Sequence, residues 1–118
     1  MSEPNSRSIA LLKNAATHSL YGKTVAQLRK DFERANIPLP LSEDQDAAAL
    51  ATAIHEKIYV LLLEKFADYL NLLYVIDVPE KAVKEIRASD AVEVSREVTY
   101  LVLKREWQKV WLRSQMSD

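Results

Sequence analysis

The sequence predicts an all-α fold, a bundle of four to five helices with a long central helix, and three observations carry that prediction. The 118 residues contain one glycine and four prolines. Glycine normally makes up ~7% of a globular chain, and tight β-turns and phosphate-cradling loops draw on it because it reaches positive φ cheaply. Helix-start signatures recur along the chain, at Thr24-Val-Ala-Gln27, Ser42-Glu-Asp-Gln45 and Asp77-Val-Pro-Glu80. Between them, apolar residues return at three- and four-residue spacing. With 48% hydrophobic and 28% charged residues, residues 1–118 read as one domain with a modest core of its own.

Residues 1–7 are expected to form a frayed tail. A first helix over about residues 8–20 places Ile9, Leu12, Ala16 and Leu20 on one face and stops at Gly22, where glycine can take the left-handed cap conformation. A second helix begins at Thr24, whose hydroxyl and the Gln27 amide would satisfy reciprocal backbone donors. Asn36, Pro38 and Pro40 end it. The stretch Ile37-Pro-Leu-Pro-Leu41 is extended, because a residue before proline avoids the α region. Ser42 and Gln45 open a third helix that runs to about residue 74. Ile54, Ile58, Leu61, Leu62, Phe66, Tyr69, Leu70 and Leu73 occupy a broad arc of it, and Glu56, Lys57, Glu64, Asp68 and Asn71 the opposite strip. An arc this wide contacts more than one neighbour, which makes this the expected central helix. Its ~45–50 Å length invites a kink or break. Asp77, Pro79 and Glu80 start a short helix to about Ala88. Asp90, with Glu93 three residues later, starts the last one, which ends near Ser114.

The last helix has two apolar faces. Ala91, Val94, Val98, Leu101 and Val102 make one. Tyr100, Leu103, Trp107, Val110 and Trp111 make another, about 180° away and displaced toward the C-terminus. Two stripes place the helix either inside the bundle or against another chain. The second stripe is therefore the candidate protein interface, for a second copy in a homodimer or for another protein. An alternative uses the cations of KREWQKVWLR: Lys104, Arg105, Lys109 and Arg113 as phosphate contacts of a nucleic-acid-associated regulator. The whole chain argues against that alternative, since 16 basic and 17 acidic side chains leave a net charge of −1, unlike a dedicated nucleic-acid binder.

Motifs of chemistry are missing. The chain has no cysteine, which excludes disulfides, cysteine nucleophiles and cysteine-held metals. His55 opens a His-Glu-x-x pattern, but Tyr59 stands where a zincin needs its second histidine. Glu64 and Asp68 lack the Glu-x-x-His partners of a di-iron bundle. There is no Gly-x-Ser-x-Gly elbow, Walker loop or dinucleotide fingerprint. The expectation is a protein without catalysis, cofactor or metal. The start, MSEPNSRSIALLKNAA, lacks the pattern of a signal peptide, and no stretch approaches 18 uncharged apolar residues. A cytoplasmic protein with no membrane partner is expected.

The segment LLYVIDVPEKAVKEI, then Asp90, then an apolar helix closing on Lys104-Arg-Glu-Trp-Gln-Lys109, resembles the C-terminal half of a group of small bacterial all-helical proteins with no assigned activity. The likeness covers about residues 70–113 and rests on cap and packing positions. It implies an all-helical bacterial protein and carries no site residue with it.

Overall fold

A computed structural model of the chain describes residues 5–116. It is 77% helical, with six helices and no strand among the described residues. They are α1 (Ser6–Thr17), α2 (Tyr21–Arg34), α3 (Ala47–Glu64), α4 (Phe66–Ile76), α5 (Glu80–Lys84) and α6 (Ala91–Met116).

The helices end without glycine. Ser19, Asn36 and Asp77 each adopt a left-handed φ, of 59°, 61° and 69°. Each closes its helix with a paired backbone motif. After α2, the Ile37 N–H donates to Phe32 O and the Asn36 N–H to Glu33 O, both at 2.9 Å. The same pair of bonds recurs at Leu20 and Ser19 after α1, and at Val78 and Asp77 after α4. These satisfy carbonyls the helix leaves free. Asn and Asp tolerate this region because their short side chains bond locally.

Several predicted boundaries move for local reasons. Gly22 does not cap α1; it lies in the first turn of α2 and has no positive φ. There a Cβ would come within 2.6 Å of Glu43 Oε2, the far end of a flexible side chain. Thr24 lies inside α2, fully buried, and its hydroxyl donates back to Leu20 O at 2.8 Å. Only half of the Ser42–Gln45 capping box forms: Ser42 N–H donates to Gln45 Oε1 at 3.0 Å, while the Ser42 hydroxyl accepts from Asp44 N–H at 3.1 Å, and the bonds close an isolated turn. Helix α3 starts later, where Asp46 Oδ1 accepts from Ala49 N–H at 2.8 Å. Asp77 closes α4 and does not open α5. Asp90 behaves as predicted, its Oδ1 accepting from Glu93 N–H at 2.8 Å. Of the expected tail, residues 1–4 lie outside the described residues. Asn5 is buried, and Ser6 and Arg7 belong to α1.

The expected single helix through residues 42–74 is divided at Lys65, whose backbone leaves the helical region (φ −140°, ψ 64°). The break lets α4 pack on both α2 and α6, burying Tyr69, Leu72, Leu73 and Ile76. The central place passes to α6, which packs against all five other helices. Its two apolar faces are explained by this sandwiching. Val98 and Val102 from one, and Leu103 from the other, join Leu12, Leu28, Phe32, Leu50, Ile54, Ile58 and Leu72 in one core.

Candidate functional site

The tryptophan stripe of α6 is largely covered by its own chain. Leu103 and Val110 are buried, and Tyr100 and Trp107 are partly buried. Trp111 is 37% exposed. The His18 ring, at the end of α1, lies 5.8 Å from Trp107 and 5.1 Å from Trp111, edge-on to the latter. The two indoles are 5.6 Å apart, a separation typical of aromatic pairs in contact. The Arg7 guanidinium lies 3.9 Å above the Tyr100 ring. Much of what the sequence offers as an interface is thus used to seat α1 on α6.

The basic residues of the same helix have internal partners. Arg105 donates to Asp77 O and to Asp77 Oδ2, both at 2.9 Å. Arg113 donates to Gln27 Oε1 at 2.8 Å. Lys109 Nζ donates to Asp31 Oδ2 at 2.6 Å and to Ile76 O at 3.0 Å, and lies 2.5 Å from Glu106 Oε1. Lys104 alone of the four is exposed with no ion pair or side-chain hydrogen bond among the described residues.

These bonds surround a polar cluster that the sequence did not reveal. Asp31 and Glu106 are both buried, joined on one side by Lys109 and, at Asp31, by Gln27 Nε2 at 3.1 Å. Burial pushes the Glu106 carboxyl up to about 8; Lys109 opposes this and the neighbouring Asp31 adds to it. Burial acts on Asp31 in the same sense, but bonding from Lys109, Glu106 and Gln27 outweighs it and holds this carboxyl below its ordinary value. At neutral pH Asp31 is the charged carboxylate of the cluster, facing Lys109 and, at 3.7 Å, the more exposed Arg34, while Glu106 holds its proton. Neutralising Glu106 avoids the cost of burying two adjacent anions. The signal was present in the wheel: Glu106 has Val102, Leu103 and Val110 at its helical neighbour positions.

A second buried polar chain ties α1, α3 and α6 together. His55 Nε2 lies 2.8 Å from Ser95 Oγ, which itself donates to Val92 O at 2.9 Å. Ser95 must then accept from His55 Nε2–H, so Nδ1 is free to accept from Asn5 Nδ2 at 3.2 Å. One tautomer satisfies all three bonds. In it the imidazole is a donor to the hydroxyl and cannot act as its base. Burial lowers the His55 pKa, favouring the neutral ring. A cleft of about 390 Å³ beside the Gln27–Arg113 bond contains Ser114, whose hydroxyl donates to Trp111 O at 2.7 Å. No histidine or carboxylate lines that cleft to activate it.

Exposed apolar side chains gather at two places among the described residues, the end of α6, where Leu112 and Met116 are 55% and 82% exposed, and the face of α4. The α4 face is the more extended. It consists of Phe66, Ala67, Leu70, Asn71 and Tyr74, with Asp68 at the edge, all exposed. Phe66, Leu70 and Tyr74 recur every four residues and so line one stripe. They are 54%, 51% and 84% exposed, and Leu63 and Val60 at the end of α3 add 55% and 41%. Asn71 spends its amide on Ala35 O at 3.2 Å. Neither Trp111 nor any other residue of the expected interface is as open as Leu63, Phe66, Leu70 or Tyr74. Phe66 and Leu70 belong to the apolar arc expected to contact neighbouring helices; the break at Lys65 turns them outward. Glu64 and Asp68, read as neighbours on one helix, fall on opposite sides of that break.

No protein-family model, curated protein or solved structure matches this chain. No helix among the described residues is long and apolar enough to cross a membrane.

Proposed function

We propose that this protein is a docking module that binds protein through the outward face of α4 and the adjoining end of α3, without catalysis. The observation that supports this reading is an exposed helix face with three large apolar side chains and no central charge. Contiguous apolar surface of this kind marks interaction sites, whereas single exposed apolar residues carry no such meaning. Aromatic side chains such as Phe66 and Tyr74 also concentrate binding energy when a partner desolvates them. In this reading the tryptophan stripe supports α1, and only the Trp111 edge remains for a partner. The nucleic-acid alternative has weaker support, because Arg105, Lys109 and Arg113 already serve internal acceptors. A bacterial, cytoplasmic setting is part of the proposal; the lack of cysteine is consistent with a reducing compartment.

A photo-activatable side chain placed at Leu70, and separately at the exposed, polar Lys104, tests this reading in intact cells. Discrete protein adducts at position 70 and none at position 104 are expected. No adduct at position 70, or the same smear at both positions, contradicts it.

A further inference from the structure

We infer that the occupant of the α4 face is a second copy of this chain, docked so that the two α4 helices run antiparallel about Leu70. This rests on the docking reading above and adds the identity of the partner. Three observations favour it.

The first is self-complementarity. A two-fold axis at Leu70 sets Leu70 against its own copy and Phe66 against Tyr74, two apolar rings four residues to either side. The small Ala67 beside them allows the helices to approach closely. The stripe carries no charge at its centre, so pairing like with like brings no ionic repulsion. The second is the helix dipole. Each end of α4 carries one acid and one base, Glu64 with Lys65 and Asp77 with Arg105, so neither end repels its counterpart by net charge. Antiparallel docking sets the positive end of one helix dipole beside the negative end of the other. A parallel pair sets like ends together. The third is area. Phe and Tyr each bury ~150–250 Å² when covered, so the five exposed side chains leave on the order of 500 Å² on each copy. A pair then reaches about the 1,000 Å² at which specific interfaces begin.

The chain has no native cysteine, so single introduced cysteines report the pairing directly. Leu70→Cys is expected to form a disulfide between copies under mild oxidation. A mixture of Phe66→Cys and Tyr74→Cys is expected to give the mixed disulfide, while Phe66→Cys alone does not cross-link. Light scattering on the unmodified protein should read about twice 13.5 kDa. Leu70→Asp should raise the dissociation constant at least ~30-fold while leaving the helical circular dichroism unchanged. Tyr74→Ser, at the most exposed of these side chains, serves as the second variant and should weaken the dimer in the same direction.

A protein that stays monomeric at every concentration overturns self-pairing. If Leu70 still cross-links to other proteins in cells, the docking reading survives that result; if it does not, both fall. A dimer unaffected by Leu70→Asp and Tyr74→Ser overturns the placement on α4. Cross-linking by Phe66→Cys alone overturns the antiparallel arrangement.

Discussion

Two regions at opposite sides of α4 invert the usual distribution of residues. Behind the helix, near Ile76, two carboxyl groups are buried beside a partly buried ammonium. In front of it, two aromatic rings and a leucine face water. The buried cluster is paired inside the chain. Lys109 meets Asp31, Glu106 and the last carbonyl of α4, Arg34 reaches Asp31, and Glu106, whose two oxygens accept no hydrogen bond, is pushed toward its neutral form. The outer face is open, because nothing in the described chain covers it. Buried charge that finds partners inside the chain serves the fold, while apolar surface that finds none awaits a partner from outside. Burial alone therefore does not separate structural from functional residues; internal satisfaction does.

The largest expected effect comes from breaking the buried cluster. Lys109→Met removes the cation that touches both acids and leaves Asp31, as its cation partner, only the longer, more exposed Arg34 contact at 3.7 Å. Breaking a buried pair in this way costs up to about 3–5 kcal/mol, read as a fall in the urea midpoint at pH 7. Leu103→Ala follows closely. Leu103 is fully buried, and a cavity there should cost about 2–5 kcal/mol. If Leu103→Ala instead left stability intact and abolished association, the tryptophan stripe would be the interface after all.

A smaller effect has a definite sign with pH. The Glu106 carboxyl rises from 4.5 in the unfolded chain to about 8 in the fold. Below pH 4.5 both states hold the proton. Between 4.5 and 8 the unfolded chain releases it and the folded chain keeps it, so the contribution to stability is lost as pH rises through that window. Glu106→Gln keeps the shape and removes the titration. It should flatten the decline and make the protein about 1–3 kcal/mol more stable than the parent at pH 9. Chemical denaturation at pH 5, 7 and 9 checks this, and parallel pH profiles for parent and variant would contradict it.

The smallest effect belongs to the open face. Leu70→Asp, measured where the chain is monomeric, should shift stability within about 0.5 kcal/mol, as surface substitutions do. A loss above ~2 kcal/mol would show that Leu70 supports the fold and is not free for a partner.

The class of fold was legible because it depends on local chemistry. Scarce glycine, the Asp90–Glu93 cap and the spacing of Leu12, Leu28, Ile54, Ile58 and Val98 point the same way. The two faces of α6 admitted its sandwiched place only as one of two readings, the other being contact with a second chain. Other features were set by contacts distant in sequence. The break at Lys65 follows no glycine or proline; α4 gains its packing on α2 and α6 by turning there. Asp77 looks like a helix start beside Pro79, yet the left-handed closure of α4 captures it first. Glu106 stands among Val102, Leu103 and Val110 on its helix, but its neighbour Asp31 comes from α2, far away in sequence. The same distant packing decides which half of the wide apolar arc in residues 54–73 meets the core. Phe66 and Leu70 thus could not be recognised as surface from spacing alone.

The most direct single measurement is the thermal midpoint of the parent chain and of Leu70→Asp over a hundredfold range of concentration. Association of folded chains stabilises them by mass action. The parent midpoint is expected to rise with concentration and that of Leu70→Asp to stay level, the two meeting at high dilution. A parent midpoint that does not move, or one that moves equally in both proteins, would contradict α4 as the surface through which copies of this chain associate.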